Sequence, residues 1–155
     1  MCNFYKLEDM KKLLLSLIAL VAVSAMSLSA RDNISRNKAV LPLPAQQAIE
    51  KNFKGDFSFV KIEKELGRIS EYEVVLKDGS EISFDNKGNW KEIEMPAGMA
   101  VPESFIPEGV KAYVKSTHKS AKIVGIEKKR SGYDVELSDG IDLKFFADGT
   151  FNKYD

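Results

Sequence analysis

Apolar residues recur at two distinct periods along this chain, first every three to four positions and then every second position. Ala45, Ile49 and Phe53, with Ala48 beside them, form one apolar stripe of a helix. Leu43-Pro44 opens that helix, because proline's missing N–H is no loss in a first turn. Gly55 is expected to close it in the left-handed C′ position. Strand patterns follow at Phe59–Glu65, Tyr72–Lys77, Glu81–Asp85 and Trp90–Met95. Turns around Gly67, Asp78-Gly79 and Asn86-Lys87-Gly88-Asn89 separate them, glycine supplying the positive φ of a tight hairpin.

The same order then returns. Ile106-Pro107 opens a second helix with the stripe Val110, Tyr113, Val114 and Thr117, and His118 and Lys119 suit the dipole of its last turn. Strands are predicted at Ala121–Lys129, Tyr133–Ser138, Ile141–Phe146 and Phe151–Tyr154. Tyr72-Glu73-Val74, Asp78-Gly79 and Phe84 recur as Tyr133-Asp134-Val135, Asp139-Gly140 and Phe145, each 61 residues later. A fixed offset of this kind marks a duplicated supersecondary unit. The predicted fold class is α+β: a tandem repeat of one helix plus a four-stranded antiparallel meander, with the helices on one face of the sheet or sheets. Residues 41–95 and 106–155 are the two repeats of a single domain, and the Pro-, Gly- and Met-containing stretch 96–105 connects them. Met95, Met99 and Phe105 serve there either as an anchor or as packing. Whether the eight strands share one sheet is open at this point.

Ahead of the repeats lies an address. Lys11-Lys12 precede the apolar run Leu13–Val23, and small residues continue to Ala30, the order of a secretory signal peptide over residues 1–30. Met10 reads as the natural start, which makes 1–9 an upstream extension. Cleavage is expected after Ala30, with Ala25 or Ser27 as alternatives, and retention as an anchor is the competing reading. Residues 31–40 read as a flexible leader. The sole cysteine, Cys2, precedes the apolar run, so the mature chain has neither a disulfide nor a thiolate site. From Arg31 onward 20 Lys+Arg oppose 21 Asp+Glu, a formal charge of −1. That balance argues against nucleic acid or an anionic membrane as the main partner.

Strand alternation proposes two faces. If Tyr72, Val74, Leu76, Ile82 and Phe84 face the helices, then Glu73, Val75, Lys77, Glu81 and Ser83 face outward. The second outward set is Asp134, Glu136, Ser138, Asp142, Lys144 and Phe146. Trp90 and Phe151, equivalent by the repeat, either join the outward face with Glu92 and Glu94 or plug the core, because one register slip exchanges the faces. The candidate partner-binding residues are Trp90, Phe146, Phe151, Glu73, Glu81, Glu92, Asp134, Glu136 and Asp142. Acids interleaved with aromatics suit a protein interface.

Catalytic and metal chemistry finds little purchase. Asp85-Asn86-Lys87-Gly88-Asn89 has lysine where a calcium loop needs its second oxygen ligand, and reads as a plain turn. His118 is the one histidine, without a second histidine or a downstream cysteine to complete a zinc site. No Gly-x-Ser-x-Gly, Ser-x-x-Lys or phosphate-binding loop is present. The expectation is no enzyme, no cofactor and no metal.

Taken together, Leu-Pro before a short helix, Ile62-Glu63-Lys64, Tyr72-x-Val74-x-Leu76, Asp78-Gly79 and Phe84-Asp85-x-x-Gly88-x-Trp90 resemble the PepSY-like family of small exported bacterial proteins. The second copy departs from the pattern with Phe146 for Asp85 and Phe151 for Trp90. The resemblance covers about Leu41 to Asp155. It implies a fold shared with the β-lactamase inhibitor protein and a non-catalytic binding or inhibitory role, though not β-lactamase as target. The expectation is a periplasmic or secreted monomer that binds another envelope or secreted protein. Such a module inhibits a hydrolase or peptidase in the sharpest version, and senses a small molecule, glycan or ion in the alternative.

Overall fold

The computed structural model describes residues 33–155; the expected signal peptide and its upstream extension lie outside the described residues. One sheet runs through the chain in sequence order: β1 (Ile34–Ser35), β2 (Phe57–Glu65), β3 (Arg68–Leu76), β4 (Glu81–Asp85), β5 (Trp90–Glu94), β6 (Ile123–Lys129), β7 (Gly132–Leu137), β8 (Asp142–Phe146) and β9 (Phe151–Tyr154). Each neighbouring pair from β2 to β9 is antiparallel. Helix α1 (Leu43–Asn52) precedes β2, and α2 (Glu108–Thr117) precedes β6. The described part of the leader carries β1 and a 3-10 turn at Lys38–Val40, capped by Asn37, whose side chain accepts from the Ala39 N–H at 3.0 Å.

The strands reach further than the alternation implied at the first hairpin. Leu66 and Gly67 take φ of 49° and 77°, so two left-handed residues close the turn and pairing continues through Glu65↔Arg68. Gly55 corrects another expectation. Helix α1 ends at Phe53 in extended backbone, and Gly55 is not among the positive-φ residues. It lies instead against Asp78, whose carboxylate would have to turn away from a Cβ placed there, 2.4 Å from its oxygen.

The alternation itself is realised. Val60, Tyr72, Val74, Leu76, Ile82, Phe84 and Ile93 from the first half share one buried cluster with Ile123, Ile126, Val135, Leu137, Leu143 and Phe145 from the second. Ala45 and Ile49 of α1, Val110 and Val114 of α2, and Val101, Phe105 and Ile106 between β5 and α2 complete it. Each large side chain so buried contributes about 1.5–3 kcal/mol. The halves are stitched by β5–β6 through Glu92↔Glu127, Ile93↔Ile126 and Glu94↔Gly125, which resolves the strands into a single sheet.

Two irregularities decide where the aromatic pair goes. Pairing steps from Ser83↔Glu92 to Phe84↔Trp90, so Lys91 is an extra residue on β5. On β9 the step from Lys144↔Lys153 to Phe145↔Phe151 leaves Asn152 extra. Each bulge reverses the parity of the strand, so Trp90 stands beside Phe84 and Phe151 beside Phe145 on the core side, while Glu92 stands beside Ser83 on the other.

Candidate functional site

The side of the sheet away from the core is a field of carboxylates. Alternation along β3, β4, β5, β7 and β8 sends Glu73, Glu81, Glu92, Asp134, Glu136 and Asp142 there, and the register then sets acid against acid. Glu81 faces Glu94, Glu92 faces Glu127 across the β5–β6 seam, Glu127 faces Asp134, and Glu136 faces Asp142. Residues directly opposite in a sheet have Cβ atoms about 4.5–5.5 Å apart, where like charges are destabilising. A fold gains nothing from such a ladder by itself.

Two hollows interrupt this face. One of about 260 Å³ is lined by Glu71, Glu73, Glu81, Ser83, Glu92 and Glu94. The other, about 130 Å³, shares Glu92 and Glu94 and adds Gly125, Glu127, Asp134, Glu136, Asp142, Lys144 and Asp155 among its walls. Gly125 belongs to its floor, because a Cβ there would come within 3.2 Å of the Glu136 Cβ. Lysines answer some of the charge: Lys61 pairs Glu73 at 2.5 Å, Lys91 pairs Glu71, Lys129 pairs Glu127, and Lys144 pairs Asp155 at 3.0 Å. Among the described residues Glu81, Glu92, Glu94, Asp134, Glu136 and Asp142 have no ion pair. Burial and then the neighbouring Glu127 and Glu94 push the Glu92 carboxyl above its ordinary value. Burial followed by Glu81 and Glu136 does the same to Glu94.

Six of the nine candidate residues therefore meet on one surface. Phe146 is half exposed, at 49 %, but stands at the end of β8 outside both hollows. Trp90 and Phe151 do not join the outward set. Trp90 packs edge-on against Phe105 at 5.8 Å with the Lys128 ammonium 5.7 Å from its ring, and Phe151 stacks on Tyr113 at 4.3 Å. Glu71, Glu127 and Gly125 were not among the candidates. The parity of β3 could have given Glu71; Glu127 and Gly125 come in only through pairing between the halves.

The Asp85 turn is satisfied from within. Its carboxylate accepts from the Lys87 and Asn89 N–H groups at 2.8 and 2.9 Å and from the Asn89 side chain at 2.9 Å. Burial alone would push this carboxyl up, but those hydrogen bonds bring it below its ordinary value. Asp148 is held in the same way by Thr150. Among the described residues no three His, Cys, Asp or Glu side chains gather closely enough to hold a metal ion. His118 caps α2, its N–H donating to the Val114 carbonyl and its ring 3.4 Å from the Tyr154 hydroxyl. Beside α2, a groove of about 630 Å³ is lined by Lys111, Lys115, His118, Lys119 and Lys122 together with Glu103 and Glu108, over Val101, Ile106, Val114 and Ile123.

The family described as "Putative beta-lactamase-inhibitor-like, PepSY-like" matches residues 70–153. No curated protein matches the chain significantly. A "putative periplasmic protein of unknown function" from Bacteroides vulgatus is 36 % identical, with TM-score 0.74, over 79 % of this chain and 97 % of its own. A "putative calcium-regulated periplasmic protein" from Bacteroides thetaiotaomicron is 30 % identical, with TM-score 0.71, over 79 % of this chain and 96 % of its own. A third, a "putative periplasmic protein from DUF2874 family" of B. vulgatus, is 29 % identical with TM-score 0.71, over 81 % of this chain and 98 % of its own. Among the described residues no helix is long and apolar enough to cross a membrane. Matched over more than half its length and akin to periplasmic proteins throughout, this chain belongs to the PepSY-like family and works in the periplasm or beyond it.

Proposed function

We propose that this protein is a non-catalytic binding module, built as a tandem duplication whose two helices cover one face of the sheet and leave the acidic face to a partner. The partner is another periplasmic or secreted protein bearing a basic surface, held stoichiometrically; inhibition of a hydrolase or peptidase is the sharpest form of the reading. One observation carries it: Glu81 against Glu94, Glu92 against Glu127 and Glu136 against Asp142 are repulsions that a solitary fold has no reason to keep. A cationic surface turns each of them into attraction.

Capture of envelope proteins on immobilised 31–155 tests this, with a Glu92→Gln, Asp134→Asn, Glu136→Gln variant as control. The expected result is one dominant protein, recovered at one-to-one stoichiometry, released by salt and absent from the control. Equal recovery on both baits would remove the acidic face from the function.

A second reading, cation sensing, is favoured by the name of the B. thetaiotaomicron relative, "calcium-regulated". On that reading calcium raises the thermal midpoint, by an amount that grows with the logarithm of its concentration above the dissociation constant. An unchanged midpoint at millimolar calcium would count against it.

A further inference from the structure

We propose that the β7–β8 turn is a site of spontaneous backbone modification, where Asp139-Gly140 closes to a succinimide and reopens in part as isoaspartate. Three aspartates of the chain are followed by glycine: Asp78, Asp139 and Asp148. Each sits in a hairpin turn whose glycine takes a positive φ, of 91°, 80° and 83° in that order. A side chain on the following residue would screen the amide nitrogen from the carboxyl, and glycine has none. The three turns differ in how firmly the carboxylate is engaged. Asp78 accepts from the Ser80 N–H at 2.9 Å and lies against Gly55. Asp148 accepts from the Thr150 N–H at 2.9 Å and from the Thr150 hydroxyl at 2.7 Å. Asp139 is exposed and reaches the Ile141 N–H only at 3.4 Å, outside the ordinary range of roughly 2.7–3.2 Å. Space differs as well. Gly149 is buried against Gly109, and a Cβ at Gly79 would meet Pro96 at 3.6 Å, whereas one at Gly140 would meet nothing within 4 Å.

The chemistry needs only water. The Gly140 nitrogen attacks the Asp139 Cγ in its acid form; the N–Cγ bond forms, and one carboxyl oxygen leaves as water with the acid proton and the amide proton. Nucleophile and electrophile belong to neighbouring residues, so the step is intramolecular and calls for no co-reactant. Water then adds to one of the two imide carbonyls. Opening at Cγ restores aspartate, and opening at the main-chain carbonyl leaves the backbone running through the side chain, one methylene longer. The attacking N–H must first leave its turn bond, but that cost is common to the three: Gly140 donates to Leu137 at 2.9 Å, Gly79 to Leu76 at 3.1 Å and Gly149 to Phe146 at 2.9 Å. What distinguishes Asp139 is the looseness of its carboxyl. At Asp148 the Thr150 hydroxyl and N–H also hold the carboxyl below its ordinary value, in the ionised form that ring closure does not use. The added methylene at Asp139 falls between Glu136 and Asp142, which pair across β7 and β8 and line the smaller acidic hollow.

Prolonged incubation of the protein in heavy-oxygen water near neutral pH tests this, followed by digestion in ordinary water and mass spectrometry. Each ring opening writes one heavy oxygen into the residue it leaves behind. Label is expected at Asp139 about fivefold faster than at Asp78 or Asp148, the scale of one hydrogen bond restraining a carboxylate. The labelled Asp139 peptide should separate into two species of equal mass, aspartate and isoaspartate. In urea the three sites should label alike, because the turns that distinguish them are gone. Thr150→Val, which removes the hydroxyl donor and keeps the N–H, should bring Asp148 closer to Asp139. Equal labelling of the three in the folded protein, a lead by Asp78 or Asp148, or an unlabelled Asp139 while the urea sample labels, would overturn the assignment. The same ranking in urea would overturn it too, by placing the cause in the local sequence rather than in the turns.

Discussion

Tyr113 of α2 lies flat on Phe151 of β9, ring centroids 4.3 Å apart and planes within 6° of parallel. Tyr113 also meets Phe145 edge-on at 5.6 Å, and its hydroxyl stands 3.4 Å from that of Tyr154. The last strand is thus clamped by the second helix as well as by its ladder. Phe151→Ala should lower unfolding stability by about 2 kcal/mol, less than a fully buried phenylalanine because the ring is only partly buried. In urea denaturation, a double-mutant cycle with Tyr113→Ala should give a coupling of about 0.5–1.5 kcal/mol. Strict additivity would mean that the stacking adds nothing beyond burial.

Trp90 is the one tryptophan, so its emission reports a single site. Packed against Phe105 and under Lys128, it should emit to the blue of free indole and resist acrylamide quenching. Lys128→Ala should lower stability by about 0.5–1 kcal/mol through the lost cation–π contact. A water-like emission maximum would return Trp90 to the outward face.

Stability should be greater near pH 5 than near pH 8. Glu92 and Glu94 titrate above the ordinary 4.5 in the folded chain, which therefore holds protons that the unfolded chain has released. Their penalty is complete above the folded values and is relieved as pH falls toward 4.5. Asp85 and Asp148 act oppositely, being depressed below 3.8, and their contribution is lost as pH falls through their folded values. Thermal midpoints across this range should show a mildly acidic maximum. Glu92→Gln or half-molar salt should flatten the neutral-side slope; a slope untouched by both would assign it to other groups.

Gly109→Ala should destabilise, although alanine is the better helix former by about 1 kcal/mol. A Cβ at Gly109 would come 2.5 Å from the Gly149 carbonyl oxygen, backbone that cannot swing aside. The first turn of α2 rests directly on the β8–β9 hairpin. A thermal midpoint at or above that of the parent would show that the turn yields more easily than this contact implies.

Much of the fold could be read from residue order, because Tyr72, Val74, Leu76, Ile82 and Phe84 alternate cleanly and all end in the core. The acidic face came from the same parity. What alternation cannot carry is a change of parity: nothing in Trp90-Lys91-Glu92 or Phe151-Asn152-Lys153 marks the extra residue that turns each aromatic inward. Nor does sequence reveal that Glu92 meets Glu127, because that encounter exists only once two distant halves pair. Ser83 was readable as outward-facing; its depth was not, since depth depends on the glutamates that wall it.

The lysines around the groove beside α2 gain meaning against the carboxylates of the outer face. Charges that nearly cancel in number are spread unevenly: Lys111, Lys115, Lys119 and Lys122 gather around the groove with Glu103 and Glu108, whereas the outer face carries more acids than its lysines pair. Net charge alone therefore says little about how such a molecule meets a charged surface. Close to the outer face the local field is strongly negative, although the chain's overall charge is close to zero.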